Sequence, residues 1–342
     1  MAAKVTIATV ARRANVSRQT VSNVLNTPDI VRAETRHRVR EAIAELGYRA
    51  NLAARQMRTG RSNLLAVRID HFRDGREGAV LDRFLHGLAE AAGAEGYRVV
   101  LFTAEGDDGE IESYRELLAS YALDAFVVTH THHGDRRTAW LLQHDVAFTT
   151  FGRPWSDTDM YPPPSPSAPP PFGHSWVDVD GAAGTAMATR HLIDAGHSRI
   201  GFLGWPTGSG VGDDRFAGWS RTMAEAGLAV AGLDRRTTNG FAEGRAAARD
   251  LLARRHPPTA LVCASDLLAL GAREAGDIAL VGFDDTAMAH ATGLSSVRQP
   301  IDEVAAACVR ILVDELDHRR AGVTAPVRHV LRTPHLVVRD SG

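Results

Sequence analysis

Val5-Thr6-Ile7-Ala8-Thr9-Val10-Ala11-Arg12-Arg13-Ala14-Asn15-Val16-Ser17-Arg18-Gln19-Thr20-Val21-Ser22-Asn23-Val24-Leu25-Asn26 decides how the chain is read. Ile7, Val10, Ala11 and Ala14 recur at spacings of three and four, as on one apolar helix face, and Thr6 stands where a helix cap belongs. Asn15 tolerates the left-handed backbone that a sharp reversal needs. Ser17 is a second cap, and Val21, Val24 and Leu25 face inward on the helix it opens. A third helix is predicted from Ala33 to Leu46, with Val39, Ala42, Ile43 and Leu46 on one side. Two helices joined by a three-residue turn, with a third in support, make a helix-turn-helix.

The second helix turns Arg18, Gln19, Ser22 and Asn23 outward. Arg suits guanine O6/N7, and Gln or Asn suits adenine N6/N7; on an isolated helix the same residues would be no more than its wet face. Charge separates the two readings. Residues 1–61 hold 12 Lys/Arg against four acids, a balance of +8, while the remainder carries −10 and the whole chain −2. A basic head on an acidic body points to a polyanion held at one end and another task at the other.

The 342 residues suffice for two or three domains with real cores. Cys263 and Cys308 are the only cysteines and form no CxxC pair, which excludes a disulfide-stapled scaffold. No run of about 18 apolar residues spans a membrane, and Met1-Ala2-Ala3-Lys4-Val5-Thr6 lacks the plan of a signal peptide. A cytoplasmic protein is expected.

Beyond Asn63, short apolar runs alternate with helical patterns. Leu64–Ile69, Arg98–Phe102, Ala125–Val128 and Val146–Phe151 read as strands, with helices near Leu81–Glu95 and Glu110–Ala119. The rhythm restarts at Trp176–Val179 and runs through Ile200–Leu203, Ala260–Cys263 and Ile278–Phe283. Repeated β-α-β units predict an α/β body of two doubly wound parallel-sheet subdomains, with ligands beyond the carboxyl ends of the strands. Pro162-Pro163-Pro164-Ser165-Pro166 to Pro171 interrupts the rhythm as an exposed extended insertion. A PxxP peptide ligand is the other use of such a run.

With these residues in view the chain resembles the LacI/GalR-type transcriptional regulators along nearly its whole length. The head stretch carries the likeness, with Ala42-Ile43-Ala44-Glu45-Leu46-Gly47-Tyr48 and Asn51 through Ser62. In the body it rests on Asp178-Val179-Asp180-Gly181, Arg215-Phe216-Ala217-Gly218-Trp219, Ser265-Asp266-Leu267-Leu268-Ala269-Leu270-Gly271, Val281-Gly282-Phe283-Asp284-Asp285 and Val297-Arg298-Gln299-Pro300. The resemblance implies an all-α helix-turn-helix head (1–50), a hinge helix and linker (51–61), and a periplasmic-binding-protein-like core (62–342). The core would divide into an N-subdomain (about 62–155 and 295–322) and a C-subdomain (about 175–288 and 323–342), with 156–174 inserted at the crossover.

The resemblance also implies roles. Arg18, Gln19 and Asn23 would read the major groove, while Thr6, Ser17, Ser22, Asn26 and Asn51 would position against phosphates. Ala54 and Met57 would enter the minor groove, Met57 as the apolar wedge. Arg215 and Asp284 would meet an effector's hydroxyls, with Arg153 and Ser265 as further contacts; Ser265 stands where the family places an Asn and lacks its amide. Trp155 and Trp219, with Trp176 and Trp205, fall near the expected cleft edges as platforms for sugar faces, the alternative being core packing.

Three departures bear on the head: Ala50 for a Pro, Asn15 for a turn Gly, and Arg32 for a capping Ser, the last costing about 1 kcal/mol. The segment 272–277 is also shorter than in the family. His130-Thr131-His132-His133-Gly134-Asp135 lies in a loop without the four converging ligands of structural zinc, so neither metal nor cofactor is expected. No nucleophile elbow or phosphate loop supports an enzyme. The expected function is a sequence-specific repressor of carbohydrate-utilisation genes: a homodimer on a near-palindromic double-stranded operator, released by a small sugar inducer. A purine-type corepressor is the alternative, and a solute-binding transport protein the rival from another class, opposed by the basic head.

Overall fold

The computed structural model describes residues 5–48, 61–69, 78–155 and 173–342, the side chain of Asn26 apart. Contacts divide the chain into one compact unit up to Ser62 and another from Asn63.

The first unit contains α1 (Ile7–Arg13), α2 (Arg18–Asn26), a 3-10 turn (Pro28–Ile30) and α3 (Ala33–Leu46). Asn15 adopts φ 54°, and the Val16 amide donates to the Ala11 carbonyl at 3.0 Å, which closes the reversal between α1 and α2. Val10, Val21 and Val39 are fully buried at the meeting point of the three helices. Leu25 corrects its expectation: Val21 and Val24 fill the inward stripe of α2, and Leu25, one helical step round, is exposed. Arg32 caps α3 without a side-chain bond, and Gly47 ends that helix at φ 61°.

The second unit is built on β1 (Leu64–Ile69), α4 (Ala79–Ala94), β2 (Arg98–Thr103), α5 (Gly106–Tyr121), β3 (Ala125–Val128), α6 (Arg136–Gln143), β4 (Phe148–Phe151) and β5 (Ser175–Val179). There follow α7 (Gly181–Asp194), β6 (Ile200–Gly204), α8 (Val211–Glu225), β7 (Asp234–Arg236), α9 (Phe241–Leu252), β8 (Ala260–Cys263), α10 (Asp266–Arg273), β9 (Ala279–Phe283) and α11 (Ala287–Ala291). The chain ends with β10 (Ser295–Arg298), α12 (Ile301–Arg320), β11 (His329–Arg332) and β12 (His335–Val337).

These strands form two six-stranded sheets, ordered β11-β5-β4-β3-β1-β2 and β12-β10-β9-β8-β6-β7. All pairings are parallel except β10 with β12. Strand alternation builds a core on each face of the first sheet. Leu65 and Val67 join Phe84, Leu88, Val304 and Cys308 on one side, whereas Ala66, Phe126 and Val128 join Tyr114 and Leu141 on the other.

The expected division of the body is corrected at three strands. Ser175–Val179 pairs with β4 (Thr150 opposite Trp176) and so closes the first lobe instead of opening the second. Ser295–Arg298 pairs with β9 in the second lobe, and His329–Arg332 pairs with β5 in the first. Among the described residues the chain therefore passes between lobes three times: after β5, after β10 and between β11 and β12. A strand's apolar run marks it as a strand but does not declare its neighbour, because pairing is non-local.

Candidate functional site

On the head, Ser17 caps α2 by accepting the Thr20 amide at 3.0 Å. The Thr6 amide donates to Thr9 Oγ1 at 3.4 Å at the start of α1. Arg18 and Gln19 are exposed, and Asn23 is half-buried one turn further on. Gln19 Nε2 donates to Asn23 Oδ1 at 2.9 Å. This bond ties two amides together on one face, with the Gln19 carbonyl and the Asn23 amino group left able to bond elsewhere. Ser22 lies half-buried on the same helix. Asn51, Ala54 and Met57 lie outside the described residues, as does the Asn26 side chain.

In the second unit, the carboxyl ends of both sheets face a cavity of about 540 Å³. Thr129, His130 and Thr131 follow β3, Gly152 follows β4, and Asp178 and Val179 end β5. From the second lobe come Trp205 after β6, Asn239 after β7, Ser265 after β8 and Asp284 after β9, with Val211 and Arg215 from α8. Arg215 apart, these polar groups sit at or just after the carboxyl ends of strands, the usual place for ligands in wound sheets.

Arg215 is buried, and Nη1 donates to the Ala264 carbonyl while standing 3.6 Å from Asp284 Oδ1. Its guanidinium lies 3.7 Å from the Phe283 ring centroid and 5.0 Å from that of Trp205. Its Nε has no partner among the described residues. Gln299 Nε2 donates to Asp284 Oδ1 at 2.7 Å. Asp284 holds φ 111°, a conformation side chains rarely adopt, so the backbone carries strain where the carboxylate must be aimed. Burial pushes the Asp284 carboxyl up to about 7, with Arg215 opposing and nearby Asp266 adding to the rise.

The structure sorts the expected effector contacts. Arg215, Asp284 and Ser265 line the cavity. Ser265 donates to Asn239 Oδ1 at 2.6 Å while its oxygen accepts the Leu268 amide as the cap of α10. Trp219 is a correction: it is wholly buried between Phe202 and Phe216, at centroid distances of 5.5 and 5.4 Å, in the core of the second lobe. Trp176 stacks on His329 away from the cavity. Arg153 and Trp155 stand outside the lining as well, corrected to a segment where Arg153 bonds Asp178 at 2.7 Å and Asp214 at 3.0 Å. Of the four tryptophans expected at the cleft, Trp205 faces it. Asn239 was missed, because it belongs to no motif and only the turn after β7 brings it to Ser265.

The histidine loop is tied into the protein. His132 Nε2 meets Asp107 at 2.9 Å, and both Asp135 oxygens take bonds from Arg137. Arg137 also bonds buried Glu110 at 2.7 Å and the His130 carbonyl at 3.0 Å, so a charged network supports the cavity wall from behind.

Residues 6–51 match the family model of bacterial regulatory proteins, lacI family, and residues 189–342 match the periplasmic binding protein-like domain. The HTH-type transcriptional regulator CelR of Thermobifida fusca is 33% identical over 98% of each chain. The chain belongs to the lacI family. A regulatory protein of the LacI family from Chloroflexus aggregans is 34% identical, over 82% of this chain and 98% of its own, with a TM-score of 0.71. A complex of the regulator CelR with cellobiose is 29% identical, over 99% and 100%, with a TM-score of 0.70. This lacI-family chain is a DNA-binding transcriptional regulator, its helix-turn-helix being the reader. Among the described residues of this lacI-family member, no helix is long and apolar enough to cross a membrane.

Proposed function

We propose that the protein is a cytoplasmic, homodimeric repressor of carbohydrate-utilisation genes, bound to a near-palindromic operator and released by a small uncharged sugar in the cavity of its body. The observation that carries this reading is the gap between Arg215 and Asp284, an ion pair whose nearest atoms stand 3.6 Å apart, too far for a direct hydrogen bond. One donates and the other accepts, as vicinal hydroxyls require. Gln299 and Asn239 extend the polar rim, and Trp205, Leu267 and Leu270 supply apolar surface for the CH faces of a ring. The other carboxylate lining the cavity among the described residues, Asp178, is paired with Arg153, which favours an uncharged ligand over an ionic one. The cellobiose held by CelR agrees with this chemistry. Arg18, Gln19 and Asn23 are the proposed base readers, and Thr6, Ser17 and Ser22 the proposed contacts to the phosphate backbone.

The test is operator binding to the promoter region of the protein's own gene, by fluorescence anisotropy at fixed salt, titrated with cellobiose and a panel of mono- and disaccharides. Loss of affinity with one sugar and not with hypoxanthine or guanine supports the proposal. Stronger binding with a purine makes the protein a corepressor-dependent regulator and overturns the sugar reading.

A further inference from the structure

Segment 152–155 leaves the end of β4 in the first lobe, yet it is bonded to cavity-wall elements of both lobes while only Gly152 lines the cavity. On the first-lobe side, Thr131 Oγ1 donates to the Arg153 carbonyl at 2.8 Å and accepts Trp155 Nε1 at 3.2 Å. Arg153 donates from Nε and from its backbone amide to Asp178 Oδ2, at 2.7 and 3.3 Å. On the second-lobe side, Arg153 Nη2 donates to Asp214 Oδ2 at 3.0 Å. The Trp155 ring covers Gly210 so closely that a Cβ there would come within 2.6 Å. The Arg153 guanidinium lies 4.7 Å from the same ring's centroid.

Asp214 is the neighbour of Arg215 on the first turns of α8, and its Oδ2 also accepts the Ala182 amide at 3.0 Å. Gly181 makes room for it, since a Cβ at that position would stand 2.9 Å from the Asp214 oxygen and 3.1 Å from Arg215 Cγ. A single guanidinium therefore joins one carboxylate from each lobe, and the second-lobe carboxylate rides on the turn that carries the cavity's arginine. A planar fork that must reach two carboxylates at once is satisfied at one interlobe angle and lost when the lobes rotate.

We infer that Arg153 is a positioning residue that sets the angle between the lobes, and that filling the cavity is transmitted by parting Arg153 from Asp214. The inference rests on the effector-controlled reading above. Arg215 and Asp214 share the first turns of α8, so a hydroxyl engaging Arg215 would act on the turn that holds Asp214, and on this inference the intact bridge belongs to the operator-binding pose. By linkage, breaking it favours the pose that holds the effector.

The experiment compares wild type, Arg153→Gln, Asp214→Asn and the double variant, full length, with a promoter fragment as DNA and cellobiose as probe. Each single variant is expected to bind cellobiose about tenfold more tightly and operator about tenfold more weakly without sugar. The double variant should add little to either, because both changes break one bridge. Spin labels at Glu116→Cys and Arg221→Cys, on α5 and α8, read the lobe separation directly, the native Cys263 and Cys308 being buried. Asp214→Asn without sugar should move the distance distribution away from that of wild type. Additive effects, opposite signs, or an unmoved distance in Asp214→Asn would overturn the inference, and the distance arm decides if Arg153→Gln fails to fold. Wild-type operator binding that ignores every sugar would instead sink the effector reading, with the distance arm still able to show the bridge at work.

Discussion

Arg215 and Asp284 face each other 3.6 Å apart without a direct hydrogen bond, each secured from the other side, Arg215 by the Ala264 carbonyl and Asp284 by Gln299. Charges held just short of contact are anchored against collapse onto one another, so a molecule that can donate and accept is free to bridge them. Fixed groups lose little freedom when a ligand arrives.

The first prediction concerns acidity. Burial holds the Asp284 carboxyl up at about 7 against an ordinary value of 3.8. The folded protein keeps a proton that the unfolded chain releases, so this group's contribution to stability falls as pH rises from about 4 to about 7 and is level above. Effector binding runs the other way, because the ionised carboxylate is the better acceptor. Calorimetry at pH 6 and pH 8 should show tighter sugar binding at pH 8, and Asp284→Asn should bind weakly at both.

A second prediction concerns the amide beside Ser265. With one lone pair of its carbonyl oxygen taken by the Ser265 hydroxyl, Asn239 can offer the cavity its amino group and the second lone pair. Asn239→Ala should weaken sugar binding by about 1 kcal/mol, roughly fivefold. Adding Ser265→Asn should recover part of that loss, since Asn can cap α10 and return an amide to the same wall. Binding curves for the two variants decide the point.

Trp219 gives a third. Sealed against Phe202 and Phe216, it acts through packing alone. Trp219→Ala should lower unfolding stability by about 3–5 kcal/mol in urea titrations. The protein that remains folded should keep its order of preference among sugars; a reordered preference would return Trp219 to the effector site.

On the head, Arg18→Ala should cost about 1–3 kcal/mol in operator affinity and relax discrimination at one base position per half-site. Asn23→Ala also releases Gln19 from its bond and should therefore relax two neighbouring positions. Selection of bound sequences from a randomised half-site measures both.

Local physics made much of this legible. Caps, three-and-four spacing and a residue tolerant of positive φ placed the head's helices, and Thr6, Asn15 and Ser17 sit as read. Apolar runs placed strands such as Ala125–Val128 and Ala260–Cys263 with their read bounds. What stayed hidden depends on contacts distant in sequence. Nothing within Ser175–Val179 says that β4 is its neighbour, and nothing around Trp219 separates a core ring from a cleft ring. Arg153 at a strand's carboxyl end looked like a ligand contact because its position is right; Asp178 and Asp214, 25 and 61 residues away, claim it. Asn239 carries meaning only beside Ser265, 26 residues on.

The triple passage of the chain between lobes has a consequence for inheritance. Each lobe is spelled by two separated gene segments, so exchanging one continuous segment cannot replace a whole lobe with a relative's. An exchange near Asn63, by contrast, transplants the whole DNA reader onto another sensor in one step. New pairings of operator and signal are therefore open to gene shuffling, whereas the two halves of the sensor must change together, one substitution at a time.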